Sequence, residues 1–384
     1  MEKILEDIRV LDLTDHWFGP WCTMMLADMG ADVIKIEPPW GATGRIGSGP
    51  MFGGVSPTFH YLNLSKKAMA LNLKDPRGLE IFKDLVKESD VVVQNFSPGT
   101  MERLGLGYDL LRELNPGIIY AALSGFGQTG PYSPRGSFAS IAEAMSSHTR
   151  LTGDGVDPEG PPIRMAQAVG DLAPGTMAAM SVIAAIRHRD RTGKGQMIDV
   201  AQFDCMTAYC VAIAGYTLSG MLPWQTRRKY PMAHVSGLMK VKDGWIAVAG
   251  HRPRAVDNLK ERLGVEEVTY EVMENFVAGL TRDEAVDYLV EVGLPVAPIY
   301  HVNETVEDPH LEARNMFIEV EHPRAGRFKV PNFPVKFSEA PGEIKSAAPL
   351  LGQNNKEVLM GLLGYTEEQV AQLENEGVIV TDKN

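Results

Sequence analysis

Short apolar runs alternate with segments of mixed pattern through the first half of the chain. IRVLDLT (Ile8–Thr14) is rich in β-branched residues and closes at a Gly19–Pro20 break. ADVIKIE (Ala31–Glu37), AMALNL (Ala68–Leu73), DVVVQNF (Asp90–Phe96) and GIIYAALSGF (Gly117–Phe126) repeat the theme, and a helical pattern starts at Pro76. Apolar runs of this length, without strict alternation, are what strands buried on both faces look like. Their separation by helical segments predicts an α/β fold, with a parallel sheet covered on both sides. QMIDVAQFD (Gln196–Asp204) reads as a late strand passing into CMTAYCVAIAGYTLSGML (Cys205–Leu222). Gly, Ser and Thr interrupt this last stretch, which falls short of a membrane span and reads as one buried helix.

Beyond Leu222 the texture changes. WQTRRKYP is polar and basic, KVKDGWIAVAG (Lys240–Gly250) predicts a hairpin turning at Asp243–Gly244, and 255–292 is charged and helical. VAPIYHVNETVEDPHL (Val296–Leu311) carries Pro and Asn punctuation. The expected division is a large domain from 1–220 and 325–384 and a smaller α+β domain at 225–320. Linkers fall near 221–225 and 320–330.

Composition narrows the function classes. The 384 residues are 44% hydrophobic and 22% charged, enough apolar material for a sizeable core. A net charge of -12 with no long basic stretch argues against a nucleic-acid partner, so an anionic ligand needs locally placed cations or helix N-termini. Three cysteines, Cys22, Cys205 and Cys210, form no CxxC pair, and the N-terminal MEKILEDIRVLDLT is strand-like rather than a signal peptide. Together these predict a cytoplasmic protein, neither disulfide-stapled nor membrane-bound.

Several chemistries are disfavoured outright. After the first strand stands DHWFGPWCTMML, with one glycine, where a dinucleotide site needs GxGxxG. There is no Walker A motif and no GxSxG elbow. The nine histidines lack metal-ligand spacing, and no metal site is expected; His16, just after the first strand, is the one to watch. In GDLAPGTMAAMSVIAAIRHRDRTGKGQ (Gly170–Gln196), Asp171 precedes a clear helix, with Pro174 and Gly175 in its first turn. An ordinary N-cap and a carboxylate kept ionised by free N–H groups, ready to attack a thioester, both fit this segment. Asn95–Phe96, in QNFSPGTMERLG, fits either a simple turn or a ligand-facing corner of an open sheet.

Taken together, these segments resemble the class III CoA-transferase family, which includes formyl-CoA:oxalate and crotonobetainyl-CoA:carnitine CoA-transferases. The resemblance is carried, in order, by RVLDLT with FGP, GADVIKIEPP, LNLKDPRG, VVVQNFSPGTMERLGLGYDLLRELNPGIIYAALSGFGQTGPY, the GD opening a helix, RTGKGQMIDVAQFD, and APLLGQNNKEVLMGLLGYTEEQVAQLENEGVI. It implies a Rossmann-like large domain made from both chain ends, a small domain, and an interlocked homodimer. It implies an enzyme with no permanently bound cofactor, acting on coenzyme A thioesters and carboxylic acids. The family's nucleophilic aspartate falls on Asp171, making it cap and nucleophile at once. It attacks the donor thioester, passes through a mixed anhydride and an aspartyl-CoA thioester, and returns CoA to the acceptor acid. Backbone N–H groups at the start of its helix are the expected oxyanion donors. His16, Trp17, Leu71, Lys74, Asn95, Phe96 and Arg103 match the family's CoA contacts, with Lys74 and Arg103 as phosphate partners.

Three departures qualify the resemblance. Pro38 stands where relatives often carry an arginine after KIE, with Arg45 as a candidate substitute. Phe138 and Ala139 replace the His-Asp pair of the α-methylacyl-CoA racemases, and neither is an acid or a base, which counts against racemisation. AVAGHRPRAVDN replaces a glycine-rich loop; its Arg252 and Arg254 fit either a substrate carboxylate or a solvated pair. The alternatives are a racemase of the same fold, a CoA-binding subunit of a heteromeric transferase, and a thioesterase, the last lacking any Ser or Cys nucleophile motif. Which acids exchange CoA is not written in the sequence.

Overall fold

Six strands form one sheet in the order β3-β2-β1-β4-β5-β6, every neighbouring pair parallel. They are β1 Arg9–Leu13, β2 Asp32–Glu37, β3 Lys67–Ala70, β4 Val91–Gln94, β5 Ile119–Ser124 and β6 Met197–Ala201. The computed structural model describes residues 3–47, 50–220, 235–250 and 252–382. The predicted linker at 221–225 and the WQTRRKYP segment lie outside the described residues.

The sheet is apolar on both faces because its strands feed two cores in alternation. Leu11, Leu13, Ile34 and Ile36 point to one, Val10, Val33, Val91 and Val93 to the other. The first core is closed by α2 (Pro76–Lys87), which Asp75 caps by accepting the Arg77 N–H. Two C-terminal helices complete it, contributing Val358, Leu359, Val370 and Leu373. The Asn355 side chain ties that segment in, accepting from the Ala70 N–H and donating to the Val380 carbonyl. The second core is closed by α1 (Phe18–Asp28) and α4 (Val169–Thr192), with α3 (Ala139–Met145) and α5 (Gln202–Tyr209) packed on α4. By length and apolarity α4 would suit a membrane, but Ala178, Ala179, Val182, Ala185 and Ile186 are spent on the sheet.

The chain divides into two compact units. The first comprises Met1–Met145, Gln167–Tyr209 and Ala313–Asn384; the second comprises Ser146–Ala166 and Cys210–Glu312. The insertion at 146–166 is glycine- and proline-rich and without periodicity, so nothing in its pattern separated it from its neighbours. The second unit has its own core, with Met239, Ile246, Leu259, Met273 and Leu289 buried between helices and an antiparallel sheet β7-β8-β9 (Gly237–Val241, Gly244–Val248, Val296–Pro298).

Two local expectations are corrected. The stretch from Cys205 is not one buried helix. Cys210, at φ -83 and ψ 82, breaks it into α5 and α6 (Val211–Ser219). Val211, Tyr216 and Leu218 of α6 are exposed, since apolar composition without a period defines no buried face. The hairpin turns at Lys242–Asp243, because Val241 pairs with Gly244, one residue earlier than its Asp-Gly pair suggested.

Candidate active site

In an open parallel sheet, ligands bind beyond the carboxyl ends of the strands, where the order of travel reverses. Here that point lies between β1 and β4, since β2 and β3 extend one way and β5 and β6 the other. A cleft of about 270 Å³ opens there. It is lined by His16 after β1, Asn95 to Pro98 after β4, Ser124 at the end of β5, Gly125 and Arg135 to Phe138 after it, and by Asp171 and Gln202.

The loop after β1 is held under strain. His16 has φ 62, which a non-glycine residue adopts only when its surroundings insist. Asn95 clamps the preceding residue from both sides, accepting from the Asp15 N–H at 2.9 Å and donating to its carbonyl at 2.8 Å. The Asp15 carboxylate accepts from the Thr43 hydroxyl and from the N–H groups of His16, Thr43 and Gly44. Burial alone would raise its pKa, but these hydrogen bonds hold it below the usual carboxylate range.

Beneath the loop lies a sealed ionic network. Lys66 donates to Asp12 Oδ2 at 3.0 Å, to the Pro20 carbonyl and to Asn63, and both charged side chains are fully enclosed. Thr14 and Thr23 also donate to Asp12, and Lys35 donates to the Thr14 carbonyl at 2.6 Å. Burial would push the Asp12 carboxyl up, yet Lys66 and Lys35 hold it well down; burial draws Lys66 to about 8 against the pull of Asp12.

Asp171 is not the helix cap. Ala168 occupies that position, and Asp171 is the third residue of α4, with Pro174 and Gly175 in the second turn. The helix's first N–H groups are already used: Gly170 donates to Glu143, while Asp171 and Leu172 donate to the Ala168 carbonyl. They are therefore not the oxyanion donors expected from the sequence. Instead Gln202, at the start of α5, donates its amide to Asp171 Oδ1 at 2.5 Å. The Asp171 side chain is almost wholly buried. Burial, then the negative charge of Glu143, raise its pKa from 3.8 to about 7, with Gln202 pulling the other way. Proximity to a helix start does not keep it ionised, because its own turn has consumed the donors.

This has a pH consequence. As the nucleophile that the resemblance implies, Asp171 must be a carboxylate rather than an acid, so kcat/KM is expected to rise as pH increases through about 7. The same shift has the opposite sign for stability. The folded state holds this proton more tightly than the unfolded chain, so its stabilising effect is complete below about 4 and is lost as pH rises through about 7. A pH-rate profile with parallel thermal melts checks both.

Of the residues singled out in the sequence, His16, Asn95, Phe96 and Asp171 converge on the cleft. Trp17 does not line it; half-buried, its carbonyl accepts from the Trp21 N–H at the start of α1. Leu71 is spent in the first core, 1% exposed, with only its backbone bridging to Ile379. Lys74 and Arg103 are exposed after β3 and β4; Lys74 lies 5.8 Å from the ring centre of exposed Trp40, and Arg103 donates to Thr100. Arg45 does not replace the missing arginine: it is buried, bidentate on Glu37 at 2.6 Å, and stacked on Phe59. Arg252 and Arg254 are exposed at the start of α7 (Pro253–Leu263) in the second unit. Phe138 packs edge-on against His16 at the cleft.

The sequence reading missed Gln202, Glu143 and Arg135. Gln202 sits inside the QMIDVAQFD segment, but no local pattern marks an amide that reaches 31 positions back.

The sequence matches CoA-transferase family III over residues 5–355. It is 34% identical to the succinyl-CoA–D-citramalate CoA-transferase of Chloroflexus aurantiacus, covering 98% of both chains. It is also 34% identical to the human succinyl-CoA:glutarate CoA-transferase, covering 98% of this chain and 90% of that one. Among solved structures, a CaiB/BaiF family protein from Brucella suis superposes with a TM-score of 0.85 at 29% identity, covering 94% of this chain and all of that one.

Proposed function

The chain belongs to CoA-transferase family III, and from that premise we propose that it moves coenzyme A between dicarboxylic acids through covalent chemistry at Asp171. Transfer between acyl-CoA and acid is the activity of the family. The covalent route and the acid class are the further steps, and one observation carries the first. A buried carboxylate, held by a single amide, faces a cleft at the switch point of the sheet.

The steps balance without an external energy source. An Asp171 oxygen attacks the donor thioester carbonyl; a C–O bond forms, the C–S bond breaks, and CoA leaves as thiolate. The thiolate attacks the aspartyl carbonyl, leaving an enzyme thioester and releasing the donor acid as carboxylate. The acceptor carboxylate attacks that thioester, and the thiolate finally takes the acyl group from the new anhydride. Each exchange joins groups of similar energy, so the protein's task is alignment, oxyanion stabilisation and exclusion of water. Gln202 suits the second task. Its amide meets the carboxylate in the resting enzyme and stays within reach when that oxygen becomes an acyl carbonyl.

The acid class rests on Arg135. Arg135 is an exposed residue of the cleft lining; its guanidinium stacks on Tyr132 at 3.9 Å and forms no ion pair among the described residues. The compared transferases act from succinyl-CoA, whose acyl group carries a second carboxylate that a fork of N–H donors is built to hold. Arg135→Gln is expected to lower kcat/KM with succinyl-CoA about 10- to 100-fold, the worth of a charged hydrogen bond, while leaving propionyl-CoA nearly unaffected. Equal losses with both donors would remove Arg135 from acid selection. The function itself is tested by CoA exchange from succinyl-CoA to a panel of mono- and dicarboxylates, using the purified chain alone. Absence of exchange with every acid would overturn it. α-Deuterium exchange without transfer would point to a racemase instead.

A further inference from the structure

A second buried carboxylate stands beside the nucleophile, and the steps above make no use of it. Glu143, on α3, is 1% exposed, and its Oε1 accepts the Gly170 N–H at 2.9 Å, one residue before Asp171. The two helices meet closely here: a Cβ at Gly170 would lie 2.5 Å from the Ala139 carbonyl oxygen. Glu143 is therefore locked against the turn that carries the nucleophile. The groups facing Asp171 are Glu143 from α3 and the neutral Gln202 amide from α5; His16 and Arg135 line the same cleft from the loops after β1 and β5. The nearest fixed charge is negative, an odd choice for a structure whose only need is a stable carboxylate.

We propose that Glu143 is a positioning residue that disfavours the free Asp171 carboxylate relative to its acylated forms. The inference rests on Asp171 being the nucleophile. Two anions in a dry compartment repel. When the C–O bond to the acyl group forms, the charge leaves on the CoA sulfur. When the thiolate displaces the donor acid, the charge leaves on that acid's carboxylate. Asp171 is neutral in both the anhydride and the enzyme thioester, so the repulsion exists only in the resting enzyme. It returns when the acceptor has taken its CoA. Burial first, and this repulsion second, raise the Asp171 pKa in the resting enzyme.

Glu143→Gln keeps an oxygen for the Gly170 N–H and removes the charge. The acid limb of the kcat/KM profile is expected to move down by about 1 pH unit. The fraction of enzyme trapped as Asp171 acyl adduct under turnover should fall severalfold. Reduced activity with an unmoved limb and an unchanged trapped fraction would overturn the proposal, leaving Glu143 a structural acceptor only. Should Glu143→Gln fail to fold, Glu143→Asp decides: it keeps the charge and should keep the high limb, and a lowered limb would count against the proposal. Carbodiimide labelling of resting Asp171 against pH, in wild type and Glu143→Gln, gives a readout independent of turnover. A lower midpoint in the variant is expected, and coincident midpoints would overturn the inference. If the wild type neither transfers CoA nor forms the adduct, the nucleophile assignment fails even when those midpoints differ.

Discussion

Asp171→Asn is expected to abolish CoA transfer, lowering kcat by at least about four orders of magnitude, the scale seen when a covalent nucleophile is removed. The replacement is nearly isosteric, and its carbonyl oxygen still accepts from Gln202, so the surroundings have no reason to rearrange. Stability near neutral pH should stay level or rise, because the substitution removes a buried acid that faces Glu143. CoA binding should persist in equilibrium titration, since the cleft keeps its shape and its other lining residues. Transfer within about tenfold of wild type would require a different nucleophile.

Lys66→Met should have the largest effect on stability. Removing one member of an enclosed ion pair strands the other, which typically costs about 3–5 kcal/mol. Here the stranded group is Asp12, at the heart of the parallel sheet. Thr14, Thr23 and the nearby Lys35 place the expected cost toward the lower end, about 3 kcal/mol, read as a fall of several degrees in the melting midpoint. Since Lys66 also donates to the Pro20 carbonyl, just after the strained His16 loop, weaker CoA affinity should accompany the loss. A double variant with Asp12→Asn should recover part of the stability, since it no longer buries an unpaired charge.

How far the sequence could be read follows from the range of its signals. The parallel sheet was legible because burial on both faces writes itself locally: IRVLDLT, ADVIKIE and DVVVQNF each show it without reference to one another. Asp171, His16, Asn95 and Phe96 were legible through order and motif, since each lies at a strand end or helix start that the cleft uses. What escaped was long-range or geometric. Gln202 and Glu143 reach Asp171 from helices whose local patterns do not mark them, and Arg45, the candidate substitute for the missing arginine, is held by Glu37. Asp171 as a cap failed by three positions, because an Asp near a helix start looks the same whether it precedes the first turn or lies within it. That small error changed the chemistry: a cap would be ionised by N–H donors, whereas this carboxylate is buried beside another and holds its proton to about 7.

Covalent capture during turnover tests the account most directly. The enzyme would be incubated with succinyl-CoA, quenched, digested and examined by mass spectrometry, with and without hydroxylamine. The account predicts a CoA thioester on the peptide containing Asp171, converted to a hydroxamate at that residue when hydroxylamine is present. An unmodified Asp171 peptide, in a sample still exchanging CoA between acids, would contradict it.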